Sequence, residues 1–370
     1  MGDNVPIVID HGSHSMKVGW AGDDSPRFTI ESVIGRPKYK LVMPHNASGP
    51  KQIYVGKDAI QRRSILNIDD QLTRGVVNSM EDIQFLYNQI YDDLGCNSAE
   101  HPVFISQSPM LPKHNSEAIL QMFFELFQVP SIQMALDGML ALYSNGCTTG
   151  TLLDIGHGNC SLLSFQEGYT SHSLIHKFPL SGQDINNTLS NLLTERGYQI
   201  EDQILLSDIK EKFCTTSLNY KKDTKIANER FYELPDGNKV ILDSERYRCT
   251  EILFQPSLVG VDSVGISNFL YESIMKMDID CRINQFQNIM LSGGTTLTNN
   301  FDRRLYNDLT LLLSNRCKVK IISPPERKYS TWIGGSILAS LFNTYHSGTW
   351  CSVQEYLETG TQIIHRKCFL

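Results

Sequence analysis

Two short apolar runs, residues 5–10 and 151–154, each end at an Asp-x-Gly, and each is followed after a polar turn by a second apolar run, residues 16–21 and 161–165. Runs this short, bounded by glycine, read as buried strands. The order strand, Asp turn, strand therefore predicts one hairpin in each half of the chain, with Lys17 pointing back toward the first turn. Residues 103–105 and 289–291 read as further strands. Ile119, Met122, Phe123, Leu126 and Phe127 recur at helical spacing and predict a core-facing helix over 118–129. Residues 184–197 and 204–213 carry the same period, and Leu297, Phe301, Leu305 and Leu309 predict a helix directly after Ser292-Gly293-Gly294-Thr295-Thr296. The pattern lapses twice. Residues 36–50 are polar and carry Pro37, Pro44, Gly49 and Pro50 around an apolar Leu41-Val42-Met43, which predicts an exposed mobile loop and a partner contact. Residues 220–238, charged and closed by Leu234-Pro235-Asp236-Gly237, predict a peripheral excursion.

The two turns, Asp10-His11-Gly12-Ser13 and Asp154-Ile155-Gly156-His157-Gly158, carry the chemistry. Glycine lets backbone N–H groups approach an anion, and a carboxylate that would repel phosphate alone becomes useful by orienting the water shell of Mg²⁺. One Asp-x-Gly is ordinary turn composition. Two, each after a strand, predict an internal duplication and a phosphate grip in each half. The pair Gly293-Gly294 between a strand and a helix start is a recurrent nucleotide-binding arrangement, because the chain can lie flat against a ligand and the helix dipole favours anions.

A chain of 370 residues, 41% hydrophobic, exceeds what one core usually supports and fits two halves of roughly 150 to 200 residues. The net charge of −7, without a long Lys or Arg run, argues against direct nucleic-acid binding. Nine scattered cysteines without a Cys-x-x-Cys read as free thiols in a reducing compartment. The start Met1-Gly2-Asp3-Asn4-Val5-Pro6 lacks a basic region before an apolar stretch, and Pro6 stands where N-myristoylation needs Ser or Thr. No apolar run nears the roughly 18 residues of a membrane span, and Cys368 is one place wrong for prenylation. These features predict a cytoplasmic protein without membrane insertion.

Residues 10–27, 153–158, 208–214, 291–296 and 324–341, and the ending His365-Arg366-Lys367-Cys368-Phe369, together resemble actin, in order and over essentially the whole chain. The resemblance implies the α/β fold shared by actin, sugar kinases and heat-shock chaperone ATPases, two duplicated ribonuclease H-like domains with a nucleotide cleft between the halves. It implies an outer domain of residues 1–140 and 334–370, including the loop 36–50, and an inner domain of 141–333. Carried over by position, Gly12, Ser13, His14 and Lys17 would contact the β- and γ-phosphates of ATP or ADP. Asp10 and Asp154 would hold Mg²⁺ or Ca²⁺ through water. Gly156, His157 and Gly158 would form the second phosphate turn, and Gly182, Lys210, Glu211, Gly293, Gly294 and Lys328 would enclose ribose and adenine.

The departures from actin gather where that family hydrolyses ATP. Actin has Gln at the place of Asp137 and His at the place of Ser161, the two side chains that position the attacking water. A carboxylate facing a triphosphate is electrostatically disfavoured without a cation, and Ser161 is too short to replace an imidazole. His157 stands for a carboxylate, His14 for a glycine and His11 for an asparagine. Arg74 replaces a modifiable histidine, Met80 a tryptophan and Gln183 an arginine.

The resemblance implies self-assembly through the Met43 loop and the apolar Leu258-Val259-Gly260-Val261 tip. It also implies partner docking beside Tyr143, Gly146, Thr148, Gly168, Tyr169, Leu338 and Leu341, where the connection 342–349 is longer than in actin. The expectation is a divergent actin-like cytoskeletal protein that binds Mg-ATP, assembles head to tail into filaments and hydrolyses slowly. The alternative is a non-polymerising actin-related protein serving as an ATP-bound subunit of a larger complex.

Overall fold

The apolar runs that end at the two Asp turns become the central strands of two separate sheets. The computed structural model describes residues 4–38, 53–200, 202–225, 228–235, 237–314 and 317–368. The chain divides into one unit of Met1–Gly146 with Tyr329–Leu370 and a second of Cys147–Lys328.

In the first unit, β1 (Ile7–His11) pairs antiparallel with β2 (Ser15–Trp20), and β2 with β3 (Phe28–Glu31). On its other side β1 runs parallel to β4 (Val103–Gln107), and β4 parallel to β5 (Ser131–Leu136); a two-residue strand, Cys351–Ser352, closes the edge. The second unit repeats this. There β6 (Gly150–Ile155) pairs antiparallel with β7 (Cys160–Phe165), which pairs with β8 (Ile175–Lys177). On its other side β6 runs parallel to β9 (Ile289–Ser292), and β9 to β10 (Ile321–Ile322). The orders β3-β2-β1-β4-β5 and β8-β7-β6-β9-β10 are the same five-stranded pattern, so the repeated Asp-x-Gly reflects a duplicated α/β sheet.

Continuous rather than alternating hydrophobicity in β1 follows from helices on both faces. Ile7 and Ile9 pack with Tyr87 and Phe123 of the helices Met80–Leu94 and Lys113–Glu125. On the opposite face Trp332, fully buried in the helix Ser330–Tyr345, donates its indole N–H to the Val8 carbonyl at 3.0 Å. That helix also lies against Asp137–Tyr143 so closely that a Cβ on Gly334 would fall 1.8 Å from the Leu140 carbonyl oxygen. In the second unit Leu153, Ile155 and Leu162 share a core with Leu189, Ile209 and Phe301.

Several elements differ from the pattern-based reading. The helix expected over 118–129 is Lys113–Glu125. The chain then turns through Gln128 at φ 54°, leaving Leu126 50% exposed while Phe127 folds back into the core. Leu297 belongs to a short 3-10 turn, Gly294–Leu297, and the α-helix starts only at Phe301, after Asn300 in a left-handed conformation. Arg36 and Pro37, assigned to a mobile loop, are the end of the strand Val33–Pro37, paired with Leu66–Asp70; Arg36 is held by Asp82 and Asp69. Leu41, Val42, Met43, Pro44, Gly49 and Pro50 lie outside the described residues. The excursion at 220–238 is peripheral as expected, with none of its described residues buried, but it contains a strand, Arg230–Glu233, that pairs with Lys239–Leu242, whose Val240 and Leu242 reach the core; Asp236 of its turn lies outside the described residues. Phe342 to Tyr345 continue the helix Ser330–Tyr345 instead of opening a loop. No described helix is long and apolar enough to cross a membrane.

Candidate functional site

In the first unit the antiparallel register sets Asp10 opposite Lys17, and the two side chains meet, Nζ to Oδ2 at 2.9 Å. Both are nearly buried, at 10% and 13% side-chain exposure. Asp10 also accepts a hydrogen bond from the Ser106 hydroxyl at 2.7 Å, and that hydroxyl in turn receives the His11 N–H at 3.0 Å. The turn itself is held by Ser32, which donates its hydroxyl to the Gly12 carbonyl (2.7 Å) and its N–H to the His14 carbonyl (3.0 Å). A Cβ on Gly12 would lie 2.6 Å from the Ser15 carbonyl oxygen and 3.0 Å from Lys17 Nζ. The backbone therefore folds more tightly over the ammonium than a side chain would allow. Ser13 is half-buried and His14 exposed.

His11 points the other way, into the core, with its ring 5.9 Å from that of Tyr87. Its Nε2 is buried without a hydrogen-bond partner among the described residues. Burial lowers its pKa from 6.5 to about 4, against the opposing pull of the Asp10 charge. The imidazole is neutral at physiological pH and is not a phosphate ligand.

In the second unit the turn after β6 is closed by the Gly156 N–H on the Asn159 carbonyl (2.9 Å). Three further bonds dock on it: Gly182 N–H to Gly156 O at 3.1 Å, Gln183 N–H to His157 O at 2.7 Å, and the Thr295 hydroxyl to Gly156 O at 2.9 Å. Gly182 stands where a Cβ would meet Thr295 Oγ1 at 2.5 Å, and Gly293, at φ 87°, where a Cβ would fall 2.3 Å from the Ile155 carbonyl oxygen. Lys210 donates Nζ to the Gly182 carbonyl at 3.0 Å, and burial lowers its pKa. Gly156, His157, Gly182, Gly293 and Lys210 are thus brought together, with Gly294 beside Lys328, whose Cγ is 3.9 Å from a built Cβ. Glu211 is exposed on the helix Gln203–Phe213.

Asp137 is the first residue of the helix Asp137–Tyr143, and its Oδ1 accepts the Gly138 N–H at 2.6 Å. It lies at the carboxyl end of β5, the same sheet edge that carries Asp10 at the end of β1. Ser161 is opposite Asp154 in the β6–β7 register and fully buried, with no hydrogen-bond partner for its hydroxyl among the described residues. Among the described residues no three His, Cys, Asp or Glu side chains cluster to hold a metal directly. Sequence reasoning missed Ser106, Ser32 and Thr295. The first two reach the turn only through strand pairing, whereas Thr295 sat in a stretch already singled out.

Of the residues expected to make contacts, Leu258 (50%) and Val259 (39%) are exposed on the 3-10 turn Pro256–Val259, which ends at Gly260 with φ 73°. Tyr169 is 78% and Leu341 46% exposed. Tyr143 is half-buried, and Thr148 is exposed, its carbonyl taking the Gly168 N–H at 2.7 Å. Compared with known protein families, the chain matches the family model described as Actin over residues 1–369.

Proposed function

The chain belongs to the actin family, and on that premise we propose that it binds ATP with Mg²⁺ or Ca²⁺ and assembles head to tail into cytoplasmic filaments, hydrolysing the nucleotide slowly. The family generally binds nucleotide with a divalent cation. The observation that carries the reading for this chain is that each unit sets an acid-and-glycine turn at the carboxyl edge of its parallel strands. Open α/β sheets bind ligands at that edge.

The residues fit such a ligand. An ammonium has three donors and Asp10 takes one from Lys17, so Lys17 retains donors for phosphate. Asp10 in the first unit and Asp154 in the second each have the oxygen chemistry that suits a hydrated divalent cation, which would supply charge neutralisation when bound. Gly12, Ser13, Gly156 and Gly158 would receive phosphates, and Gly182, Lys210, Glu211, Gly293, Gly294 and Lys328 ribose and adenine. Slow hydrolysis follows from a Ser161 hydroxyl shut in the core and an Asp137 carboxylate engaged by its own helix; loss of a water-positioning group costs roughly 10² to 10⁴ in rate. The exposed Leu258 and Val259 support a subunit contact.

Isothermal titration of the full chain with Mg-ATP tests the nucleotide half of this reading. Binding that Lys17→Met weakens at least tenfold supports it, and absence of heat from a folded protein overturns it.

A further inference from the structure

All nine cysteines are free, and among the described residues two pairs of sulfurs come close. Cys214 and Cys249 lie 3.4 Å apart in the second unit; Cys351 and Cys368 lie 3.9 Å apart in the first. Distance alone favours the first pair. Oxidation, however, begins at a thiolate. The hydrogen bond with Cys214 and full burial push the Cys249 thiol well above its ordinary pKa. Cys351 is shifted the opposite way by its hydrogen bond with Cys368 and by nearby Lys367 and Arg366, with burial and Glu355 opposing.

The second pair also has a route of access. Cys351 is on the edge strand Cys351–Ser352, beside Ile132 of β5. Cys368 caps the five-residue helix Ile363–Lys367, and its sulfur takes the Met134 N–H at 3.4 Å and approaches Gln133 Oε1 at 3.5 Å. The two thiols are closed off at 0% and 7% exposure. A helix this short has no stability of its own, and local opening at such an element admits a small oxidant.

We propose that Cys351 and Cys368 form an oxidisable dithiol that hydrogen peroxide converts into an intramolecular disulfide, tying the C-terminal helix to the edge of the first sheet. The Cys351 thiolate attacks one peroxide oxygen, the O–O bond breaks, and hydroxide leaves to give a sulfenic acid. Cys368 then attacks that sulfur, an S–S bond forms as the S–O bond breaks, and water leaves after proton transfer. In sum two thiols are oxidised and one peroxide is reduced to two waters. The sulfurs must close by about 2 Å to reach bonding distance.

The test treats the full native chain with hydrogen peroxide, blocks with N-ethylmaleimide and maps disulfides by peptide mass spectrometry. The expected result is loss of two of the nine alkylatable thiols, recovery of a linked Cys351–Cys368 peptide, and reversal by dithiothreitol. Cys368→Ser should leave Cys351 labelled by dimedone as a sulfenic acid. Cys214–Cys249 oxidising first, Cys368 found only in disulfides between copies, or an unlabelled Cys351 in Cys368→Ser would overturn the proposal.

Discussion

Acidification isolates the buried histidine of the first turn. Unfolded, His11 takes a proton near pH 6.5; folded, it does so only near pH 4, because its ring lies against Tyr87 away from water. Between those values the unfolded chain binds more protons than the folded one. Stability from this residue is therefore fully present above pH 6.5, falls as pH drops through the window, and is gone below about 4. Linkage over the interval from pH 7 to pH 5 gives a loss of about 2 kcal/mol. His11 as a whole is only half-buried although its Nε2 is sealed, so solvent screening brings the expected loss nearer 1 kcal/mol. The assay is urea unfolding at both pH values in saturating nucleotide, for the natural chain and for His11→Asn, which retains Asp10 and every other titrating group. The natural chain should lose about 1 to 2 kcal/mol more than the variant. Equal losses would refute the reasoning, showing that His11 is protonated alike in both states.

Other sites give equally direct expectations. Gly293→Ala forces a side chain into φ 87° and a 2.3 Å approach to the Ile155 carbonyl, and should cost about 3 kcal/mol in thermal or chemical unfolding. Arg304 binds both oxygens of the fully buried Glu251 at 3.1 and 3.2 Å as well as Asp308, so Arg304→Met should destabilise by about 3 to 5 kcal/mol; a change under 1 kcal/mol would contradict the ion-pair account. Asp137→Gln should raise ATP turnover at least tenfold in a phosphate-release assay, because an amide can position water without repelling phosphate. Unchanged turnover would count against Asp137 as the defect.

The duplication was legible because both copies kept the same local grammar, an apolar run ending in Asp-x-Gly. The two sheets then share one strand order. Gly293 stood out between a strand and a helix start and Gly182 only through the resemblance to actin, and neither has room for a side chain. Ser106 was not legible, because it reaches Asp10 only through the parallel pairing of β1 with β4, a contact spanning 96 residues that no local pattern encodes. Arg36 was misread for a related reason. Proline nearby suggested a loop, but pairing with Leu66–Asp70 and the Asp82 contact hold a strand there. Leu126 and Leu297 kept helical spacing beyond the helices they adjoin, where Gln128 and Asn300 take left-handed conformations and redirect the chain.

High-speed sedimentation across a concentration series, in Mg-ATP and in Mg-ADP, tests assembly itself. The account predicts a pellet above a critical concentration in Mg-ATP, reduced by Leu258→Glu on the exposed Pro256–Val259 turn. A folded, nucleotide-bound protein that stays in the supernatant at every concentration would contradict it and favour a subunit of a larger complex.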